Sequence, residues 1–135
     1  MADHLNGVGT FAFMKFVVKD LDRMAAFYGA AVGLGSATRI ETGELTELVL
    51  RNPAGDRGLC LVLCRYADGR DNTPGGAYGA LGIYVPDVDA AHARALGAGA
   101  GELRPPFDVR GLRVSFVQDP EGREIEFLAP LKASA

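Results

Sequence analysis

The chain has 135 residues, of which 48% are hydrophobic and 23% are charged, a size and composition typical of one globular domain and not of a disordered or fibrous chain. Its 14 Lys and Arg residues stand against 17 Asp and Glu residues, and because the basic residues are scattered, nucleic acid is excluded as a partner. No stretch approaches the roughly 20 apolar residues of a bilayer helix, and the start Met1-Ala2-Asp3-His4 lacks the features of a signal peptide, so we expect no membrane contact and a cytoplasmic location.

The first half of the chain predicts one strand, one helix and three further strands. Phe11–Val18 is rich in aromatic and β-branched residues, as strands are. Asp20 occupies an N-cap position, and apolar residues follow it at helical spacing until Gly29 or Gly33 ends the helix. The three later strands are predicted at Ala37–Glu41, Leu45–Arg51 and Leu59–Arg65, with a turn at Asn52-Pro53-Ala54-Gly55 between the last two.

The second half predicts the same order of elements. A strand at Ala80–Val85 precedes a helix at Asp87–Leu96, which ends at Gly97. The later strands are predicted near Glu102–Leu103 or slightly beyond, at Leu112–Val117 and at Glu124–Leu128, with a turn at Asp119-Pro120-Glu121-Gly122. The polar, turn-rich stretch 67–79 between the halves is predicted to be a linker.

Two short motifs recur at one common offset. Val18-Lys19-Asp20-Leu21-Asp22 returns as Val85-Pro86-Asp87-Val88-Asp89, and Asn52-Pro53-Ala54-Gly55 returns as Asp119-Pro120-Glu121-Gly122, both 67 positions later. This repetition predicts a duplicated unit. We therefore expect an α+β fold of two tandem βαβββ modules, at about 11–66 and 80–130, within a single domain of residues 1–135.

The two cysteines are predicted to form neither a disulfide nor a zinc site. Cys60 and Cys64 are four positions apart in a strand, which separates them by about 13 Å, beyond the reach of a disulfide. No second pair of Cys or His residues completes a zinc site, because His4 and His92 are isolated. We expect both thiols to act as small buried apolar groups, with a nucleophilic role as the alternative.

Three segments of the chain resemble the vicinal oxygen chelate superfamily, which contains glyoxalase I, extradiol dioxygenases and the fosfomycin- and bleomycin-resistance proteins. The segments are Asp20-Leu21-Asp22 with Ala26-Phe27-Tyr28 and Gly33-Leu34-Gly35, then Val85-Pro86-Asp87-Val88-Asp89, and above all Phe116-Val117-Gln118-Asp119-Pro120-Glu121-Gly122-Arg123-Glu124-Ile125-Glu126-Phe127. The resemblance covers about Phe11 to Pro130. It implies that each module curls a four-stranded sheet into a half-barrel and that the two modules enclose one cleft.

The same resemblance implies four positions that hold a divalent ion in the metalloenzymes of the superfamily, one on the first strand and one on the last strand of each module. Here they fall on Phe13, Val62, Ala80 and Glu126, with Cys60 in place of Val62 if the first hairpin is shifted by two residues. Three of the four offer no donor atom, and one carboxylate would leave an ion mostly hydrated. The sequence therefore predicts no metal ion and no cofactor, as in the metal-free members that hold a ligand in the cleft.

Strand alternation extends these positions to a predicted cleft lining, because residues two apart in a strand share a face. The cleft side is predicted to hold Phe13, Lys15 and Val17, then Cys60, Val62 and Cys64, then Ala80, Gly82 and Tyr84, and finally Glu124, Glu126 and Leu128. The alternate residues of the first strand, Met14, Phe16 and Val18, are predicted to face the helix. Such a lining is mostly apolar with a small polar set, which suits a small organic ligand.

Three side chains of this lining are candidates for specific roles, each with a plainer alternative. Glu126 is predicted to act as a general base or as an acceptor for the ligand, or else to be a residual carboxylate paired with Lys15 or an arginine. Lys15 is predicted to bind a ligand carboxylate or phenolate, or to snorkel to solvent. Tyr84 is predicted to stack on the ligand, or to fill the sheet face.

Charged and aromatic residues outside the strand centres receive simpler assignments. Arg51, Arg110 and Arg113 border hairpins and cleft rims, where a cation attracts an anionic ligand or is an ordinary surface charge. Among them Arg113 is placed in the predicted ligand-binding set. His92 is expected to be a partly exposed helix residue, with a role in the site as the alternative, and Tyr28 is expected in the core.

The leading hypothesis is a binding protein of the glyoxalase/bleomycin-resistance type, which sequesters or carries an aromatic or otherwise apolar compound without metal. The alternative is an enzyme, a glyoxalase-type lyase or isomerase with an atypical metal site or with Glu126 as general base. A third possibility is a structural subunit with a vestigial cleft. The resemblance also implies a homodimer, because single-chain members with two modules commonly pair, some of them building the cleft from modules of different chains.

Overall fold

A computed structural model describes residues 9, 11–52 and 60–132, apart from the side chains of residues 36 and 37. The elements follow one another as β1 (Phe13–Val17), α1 (Leu21–Val32), β2 (Gly35–Glu41), β3 (Leu45–Arg51), β4 (Cys60–Tyr66), β5 (Leu81–Tyr84), α2 (Val88–Gly97), β6 (Gly101–Val109), β7 (Leu112–Gln118) and β8 (Glu124–Pro130). The turn predicted to begin at Asn52 continues into residues 53–59, which lie outside the described residues. Neither of the described helices has the length and apolar character needed to cross a membrane.

The strands of the described residues form two four-stranded mixed sheets, one in each module. The strand order is β1-β4-β3-β2 in the first sheet and β5-β8-β7-β6 in the second, and neither sheet closes into a barrel. β1 runs parallel to β4 and β5 runs parallel to β8, whereas the other neighbours are antiparallel. The predicted α+β fold of two βαβββ modules is confirmed.

Both helices begin after the aspartate that the repeated motif supplies. The side chain of Asp20 accepts a hydrogen bond from the Arg23 amide at 3.0 Å, and that of Asp87 accepts one from the Ala90 amide at 3.0 Å. α1 ends at Gly33, whose φ of 86° lies in the left-handed region that glycine adopts without strain. Each module therefore uses the same local signal to start its helix.

We expect Asp20→Ala to lower the free energy of unfolding by about 1 kcal/mol, because the Arg23 amide then loses its acceptor in the first turn of α1. Urea unfolding followed by circular dichroism measures the change. The control Asp22→Ala removes an exposed carboxylate from the same turn and should cost about 0.5 kcal/mol or less. Equal losses in the two variants would contradict a capping role for Asp20.

One face of each sheet packs against the helices and forms the core. Leu61 and Leu63 of β4 and Ile125 and Phe127 of β8 belong to this core. The helices contribute Leu21, Met24, Phe27, Tyr28, Ala31, Val88, Ala91 and Ala95. The residues that alternate with the core positions lie on the opposite surface of each sheet, which we call the helix-free face.

β6 is longer than the sequence predicted. A short strand was expected near Glu102–Leu103, whereas β6 has nine residues and includes Pro105 and Pro106. Two prolines indicate a strand break, because proline donates no hydrogen bond to a neighbouring strand. They are tolerated here because β6 is an edge strand, and its register with β7 shifts twice.

The turn between β7 and β8 joins the second module to the first. The carboxylate of Glu121 accepts hydrogen bonds from the backbone amides of Lys19 at 2.8 Å and Asp20 at 3.0 Å, just before α1. The Arg123 guanidinium donates to the carbonyl of Val17 at the end of β1. These contacts hold the first strand and helix of module one against the last hairpin of module two.

A buried carboxylate fixes the shape of this turn. Asp119 is 2% exposed and accepts hydrogen bonds from the amides of Glu121 at 2.8 Å and Arg123 at 3.0 Å. The Tyr28 hydroxyl donates to it at 2.7 Å. Burial and the Asp119 charge raise the pKa of Tyr28, so the hydroxyl stays protonated as a donor. Tyr28 lies in the core, as the sequence predicted, and it also binds the other module.

Candidate functional site

The helix-free face of module one carries five of the predicted site residues. Phe13 and Lys15 lie on β1, and the parallel register places them beside Cys60 and Val62 of β4, with Cys64 next along that strand. Val62 and Cys64 are buried, Cys60 is half-buried and Phe13 is 54% exposed. The structure therefore brings these five side chains together on one surface.

Lys15 is paired with a carboxylate that the sequence did not single out. Its ammonium contacts the carboxylate of Glu47 on β3, and Glu47 lies opposite Cys64 in the sheet. The side chain of Lys15 is 36% exposed, whereas that of Glu47 is 15% exposed. The adjacent Glu47 carboxylate raises the pKa of Lys15. The partner of Lys15 is thus Glu47 and not Glu126.

The two thiols of module one have different surroundings. Cys64 is buried, and this burial, together with the nearby Glu47 charge, raises the pKa of its thiol. A raised pKa disfavours the thiolate that nucleophilic attack requires. Cys60 accepts a hydrogen bond from Nη1 of Arg51 at 3.4 Å. Cys64 is a free thiol.

A row of four residues crosses the helix-free face of module two from strand to strand. The register pairs Arg104 of β6 with Phe116 of β7, Phe116 with Glu126 of β8, and Glu126 with Gly82 of β5. Neighbouring strands lie about 4.8 Å apart, so the backbones of Arg104 and Glu126 are about 10 Å apart with a phenyl ring between them. We call these four residues the charged row.

A second row beside it is apolar and aromatic throughout. It consists of Phe107, Val114, Leu128 and Tyr84, which are paired across the strands in the same way. The rings of Phe107 and Phe116 have centroids 6.4 Å apart and planes inclined by 24°. Tyr84 is 76% exposed. This aromatic row and the charged row together present ring faces and methyl groups beside one carboxylate.

Glu126 is the half-buried carboxylate of the charged row. Within the described part of the chain, no hydrogen bond or ion pair joins it to another residue. A Cβ added at Gly82 would meet only Leu128, at 4.0 Å, so the space beside the carboxylate is open. Arg104, near the other end of the row, places its guanidinium carbon 4.1 Å from the centroid of Phe107. The expected pairing of Glu126 with a cation is therefore absent among these residues.

Two residues that the sequence linked to the site lie on the helix side of module two. Arg113 was expected at the cleft rim, but its guanidinium binds Asp89 of α2 at 2.8 Å and Asp108 of β6 at 3.0 Å. His92 was expected to be partly exposed, but it is buried, with Nε2 2.7 Å from the carboxylate of Glu102. Both side chains hold α2 against the sheet, and neither lies on the helix-free face.

A cavity of about 640 Å³ lies at the junction of the modules. It is lined by β1, by linker residues 71–75, by residues 78–81 and by residues 122–124. The cavity brings Lys15 and Ala80 together, but Glu126 and Phe116 are not part of its lining. It is thus a space beside the first strands of the two sheets, distinct from the charged row.

The four positions implied for a divalent ion do not fit one. Phe13, Val62 and Ala80 have no donor atom, and Glu126 offers a single carboxylate. In the ranges 11–52 and 60–132, no group of three or more His, Cys, Asp or Glu side chains is placed to hold a metal. Divalent ions require several oxygen or nitrogen ligands, so this donor set does not support metal chemistry.

The sequence matches a known family along almost its whole length. The sequence model of the Glyoxalase/Bleomycin resistance protein/Dioxygenase superfamily matches residues 3–127. The probable lactoylglutathione lyase of Vibrio cholerae is 30% identical over 122 residues, which are 87% of this chain and 88% of that protein.

Solved structures share the fold. Glyoxalase I from Zea mays gives a TM-score of 0.78 at 20% identity over 91% of this chain, which spans only 45% of the maize protein. The trypanothione-dependent glyoxalase I of Leishmania major gives 0.76 at 25% identity, over 89% of this chain and 86% of that one. TioX from Micromonospora sp. ML1 gives 0.67 at 26% identity, over 91% of this chain and all of that one. One fold hosts many functions, so the site residues decide what this chain does.

Proposed function

Because the chain belongs to the glyoxalase/bleomycin resistance protein/dioxygenase superfamily, we propose that it binds a small, largely apolar or aromatic organic compound without a metal ion. Its role is to sequester or carry that compound, in the manner of bleomycin resistance. The observation that carries this proposal is the aromatic row on the helix-free face of module two, beside a carboxylate that has no partner among the described residues. The cytoplasmic location stays a prediction.

Ring faces and methyl groups are surfaces on which flat organic compounds bind. The rings of Phe107 and Phe116 lie within the range of aromatic contacts, and a ligand ring extends such an arrangement. Leu128, which is half-buried, and the exposed ring of Tyr84 add apolar area, which stabilises a complex by about 25 cal/mol for each Å² removed from water. Glu126 adds one polar group that orients the ligand, a balance typical of small-molecule sites.

The donor set at the superfamily metal positions supports metal independence. A site without metal holds its ligand through ring contacts, apolar burial and hydrogen bonds, so dialysis against EDTA should leave the ligand affinity unchanged. Elemental mass spectrometry after dialysis against Ni, Zn, Mn and Fe separately should find no retained ion. Retention of about one ion per chain would overturn this part of the proposal.

We expect Phe116→Ala to weaken the binding of an aromatic ligand about 10-fold, because stacking and apolar burial of one ring contribute about 1.4 kcal/mol. A thermal-shift screen of aromatic compounds identifies the ligand, since a compound that binds only the folded chain raises Tm. Titration of both proteins then gives the affinities. Phe11→Ala is the matched control, because Phe11 is 89% exposed and lies before β1. A screen in which no compound raises Tm would instead support a structural subunit.

We also propose that the chain forms a homodimer in which the second copy packs on the helix-free face of module one and leaves the charged row and the aromatic row open to the ligand. Phe13 exposes a large aromatic surface on that face of module one, and exposed apolar patches commonly mark interfaces. Sedimentation equilibrium should give twice the chain mass of 14.2 kDa. A monomer at the concentrations used for ligand binding would contradict the proposal.

A second candidate function is that of a glyoxalase-type lyase or isomerase, favoured by the 30% identity to the probable lactoylglutathione lyase of Vibrio cholerae. In this candidate Glu126 acts as a general base, since its carboxylate has no partner among the described residues and faces open space. Formation of lactoylglutathione by the wild-type chain, abolished in Glu126→Gln, would support the enzyme. No turnover by the wild-type chain, under conditions where it binds its ligand, supports the binding protein.

A further inference from the structure

We propose that the ligand of the charged row is a flat aromatic compound with a basic group at one end and an acidic group at the other. This inference rests on the proposed function and adds the charge pattern of the ligand. The charged row holds a guanidinium on β6, a phenyl ring on β7 and a carboxylate on β8, in that order across the sheet.

Neither charge of the row is neutralised by another described residue. The guanidinium of Arg104 contacts the ring of Phe107 and forms no ion pair within residues 11–52 and 60–132, and the same holds for the carboxylate of Glu126. Phe116 stands between the two and keeps them from pairing. An acidic group placed at Arg104 and a basic group placed at Glu126 complete both interactions at once.

Two charged side chains on neighbouring surfaces already have ion-pair partners and so differ from Arg104 and Glu126. Lys15 on the helix-free face of module one is compensated by Glu47. Arg113 on the opposite face of module two is compensated by Asp89 and Asp108. A ligand ion would have to displace an existing partner at either position, whereas the cation and the anion of the charged row have no ion-pair partner in the part of the chain that the structure describes.

The dimensions of the row select the size of the ligand. Two strand spacings, about 10 Å, separate the backbones of Arg104 and Glu126, and a bicyclic aromatic ring with one substituent at each end spans that backbone distance. The ring lies over Phe116 with the aromatic row beside it. The basic substituent reaches the open space next to Gly82, where no side chain occupies the position beside the carboxylate.

Four naphthalene probes that differ only in charge test this inference. They are 6-(aminomethyl)-2-naphthoate with both groups, 2-naphthoate with the acid alone, 2-naphthylmethylamine with the base alone, and 2-methylnaphthalene with neither. Naphthalene fluorescence reports binding in a titration. We expect the doubly charged probe to bind about 10-fold more tightly than either singly charged probe, because hydrogen bonds to charged groups are the stronger class.

Two variants test which end of the ligand binds Glu126 and which end binds Arg104. Glu126→Gln should weaken the two amine-bearing probes about 10-fold and leave 2-naphthoate unchanged, and Arg104→Gln should weaken the two carboxylate-bearing probes and leave the amine unchanged. The controls Glu44→Gln and Arg94→Gln remove the same charges from the exposed β2–β3 turn and from the exposed side of α2. Each control should change every affinity by about 2-fold or less, because distant surface charges are screened by salt.

The outcomes separate this inference from the proposed function. If all four probes bind with equal affinity, or if the controls act as strongly as the row variants, the charge pattern is wrong and the aromatic site stands. If no probe binds although the thermal-shift screen finds an aromatic ligand, the inference fails and the proposed function stands; if the screen also finds no ligand, both fail. If the doubly charged probe binds most tightly, and each variant weakens only the probes that carry the group it is expected to bind, the charge pattern is supported.

Discussion

Asp119→Ala is expected to lower the free energy of unfolding by about 3–5 kcal/mol. The carboxylate accepts hydrogen bonds from two backbone amides and from the Tyr28 hydroxyl, and Nη1 of Arg123 lies 3.7 Å from it. Its removal leaves these buried donors without their acceptor, and leaves Glu121 as the remaining carboxylate beside the Arg123 guanidinium. Buried groups that lose their partner carry the full cost of desolvation.

Urea unfolding at neutral pH measures this loss. Tyr28→Phe should cost less, about 1–2 kcal/mol, because it removes one donor while the backbone amides still satisfy the carboxylate. Asp68→Ala is the control, since the ion pair between Asp68 and Arg70 is exposed, and we expect no measurable change. A loss at Asp119 no greater than that at Asp68 would show that the β7–β8 turn does not depend on its buried carboxylate.

The face of the sheet on which each strand residue lies could be predicted from the sequence, because side chains alternate between the two faces of any strand. In β4 the core takes Leu61 and Leu63, so Val62 and Cys64 turn the other way. In β8 the core takes Ile125 and Phe127, which places Glu126 on the helix-free face. The first residues of the two helices could also be predicted, because each cap, at Asp20 and at Asp87, is a contact between residues three positions apart. Which of the face residues touch a ligand stays a prediction.

The position of Arg113 shows where local reasoning was misapplied. It was assigned to the cleft rim because it borders a hairpin, although it lies four positions before Val117, a core residue. Alternation from Val117 already puts Arg113 on the helix side. The same rule indicates Glu47, which alternates with Val49 on β3 and so faces away from the core residue Leu48. Strand alternation could therefore have predicted the faces on which Arg113 and Glu47 lie.

Other parts of the site depend on contacts that no local pattern contains. Arg104 and Phe107 share a face although they are three positions apart, because the register of β6 shifts between them around two prolines. The contact between Lys19 and Glu121 spans 102 positions. The repeated turn motif marked Glu121 as part of a turn, but its role as an acceptor for the other module depends on how the modules pack.

Lys15→Met is expected to lower the free energy of unfolding by about 1–2 kcal/mol, less than for a fully buried pair, because the Lys15 side chain is 36% exposed. Methionine keeps much of the apolar length of the side chain and removes the charge, and Oε2 of Glu47 is buried and contacts the Lys15 ammonium. The variant therefore leaves a carboxylate that has little access to water. The double variant with Glu47→Leu should recover most of the loss, because a paired set of buried charges can be replaced by apolar residues at little or no cost.

The pH dependence of the same variants gives a second measurement of this pair. Glu47 raises the pKa of Lys15 above its ordinary value of 10.5, so the folded chain holds this proton more tightly than the unfolded chain. The stability from the pair is therefore fully present below the ordinary value and is lost as the pH rises through the raised pKa. The difference in unfolding free energy between wild type and Lys15→Met should stay constant from about pH 6 to pH 9 and shrink above about pH 10.5. A difference that persists at higher pH, or a double variant no more stable than Lys15→Met, would show that the loss comes from packing and not from the charge on Lys15.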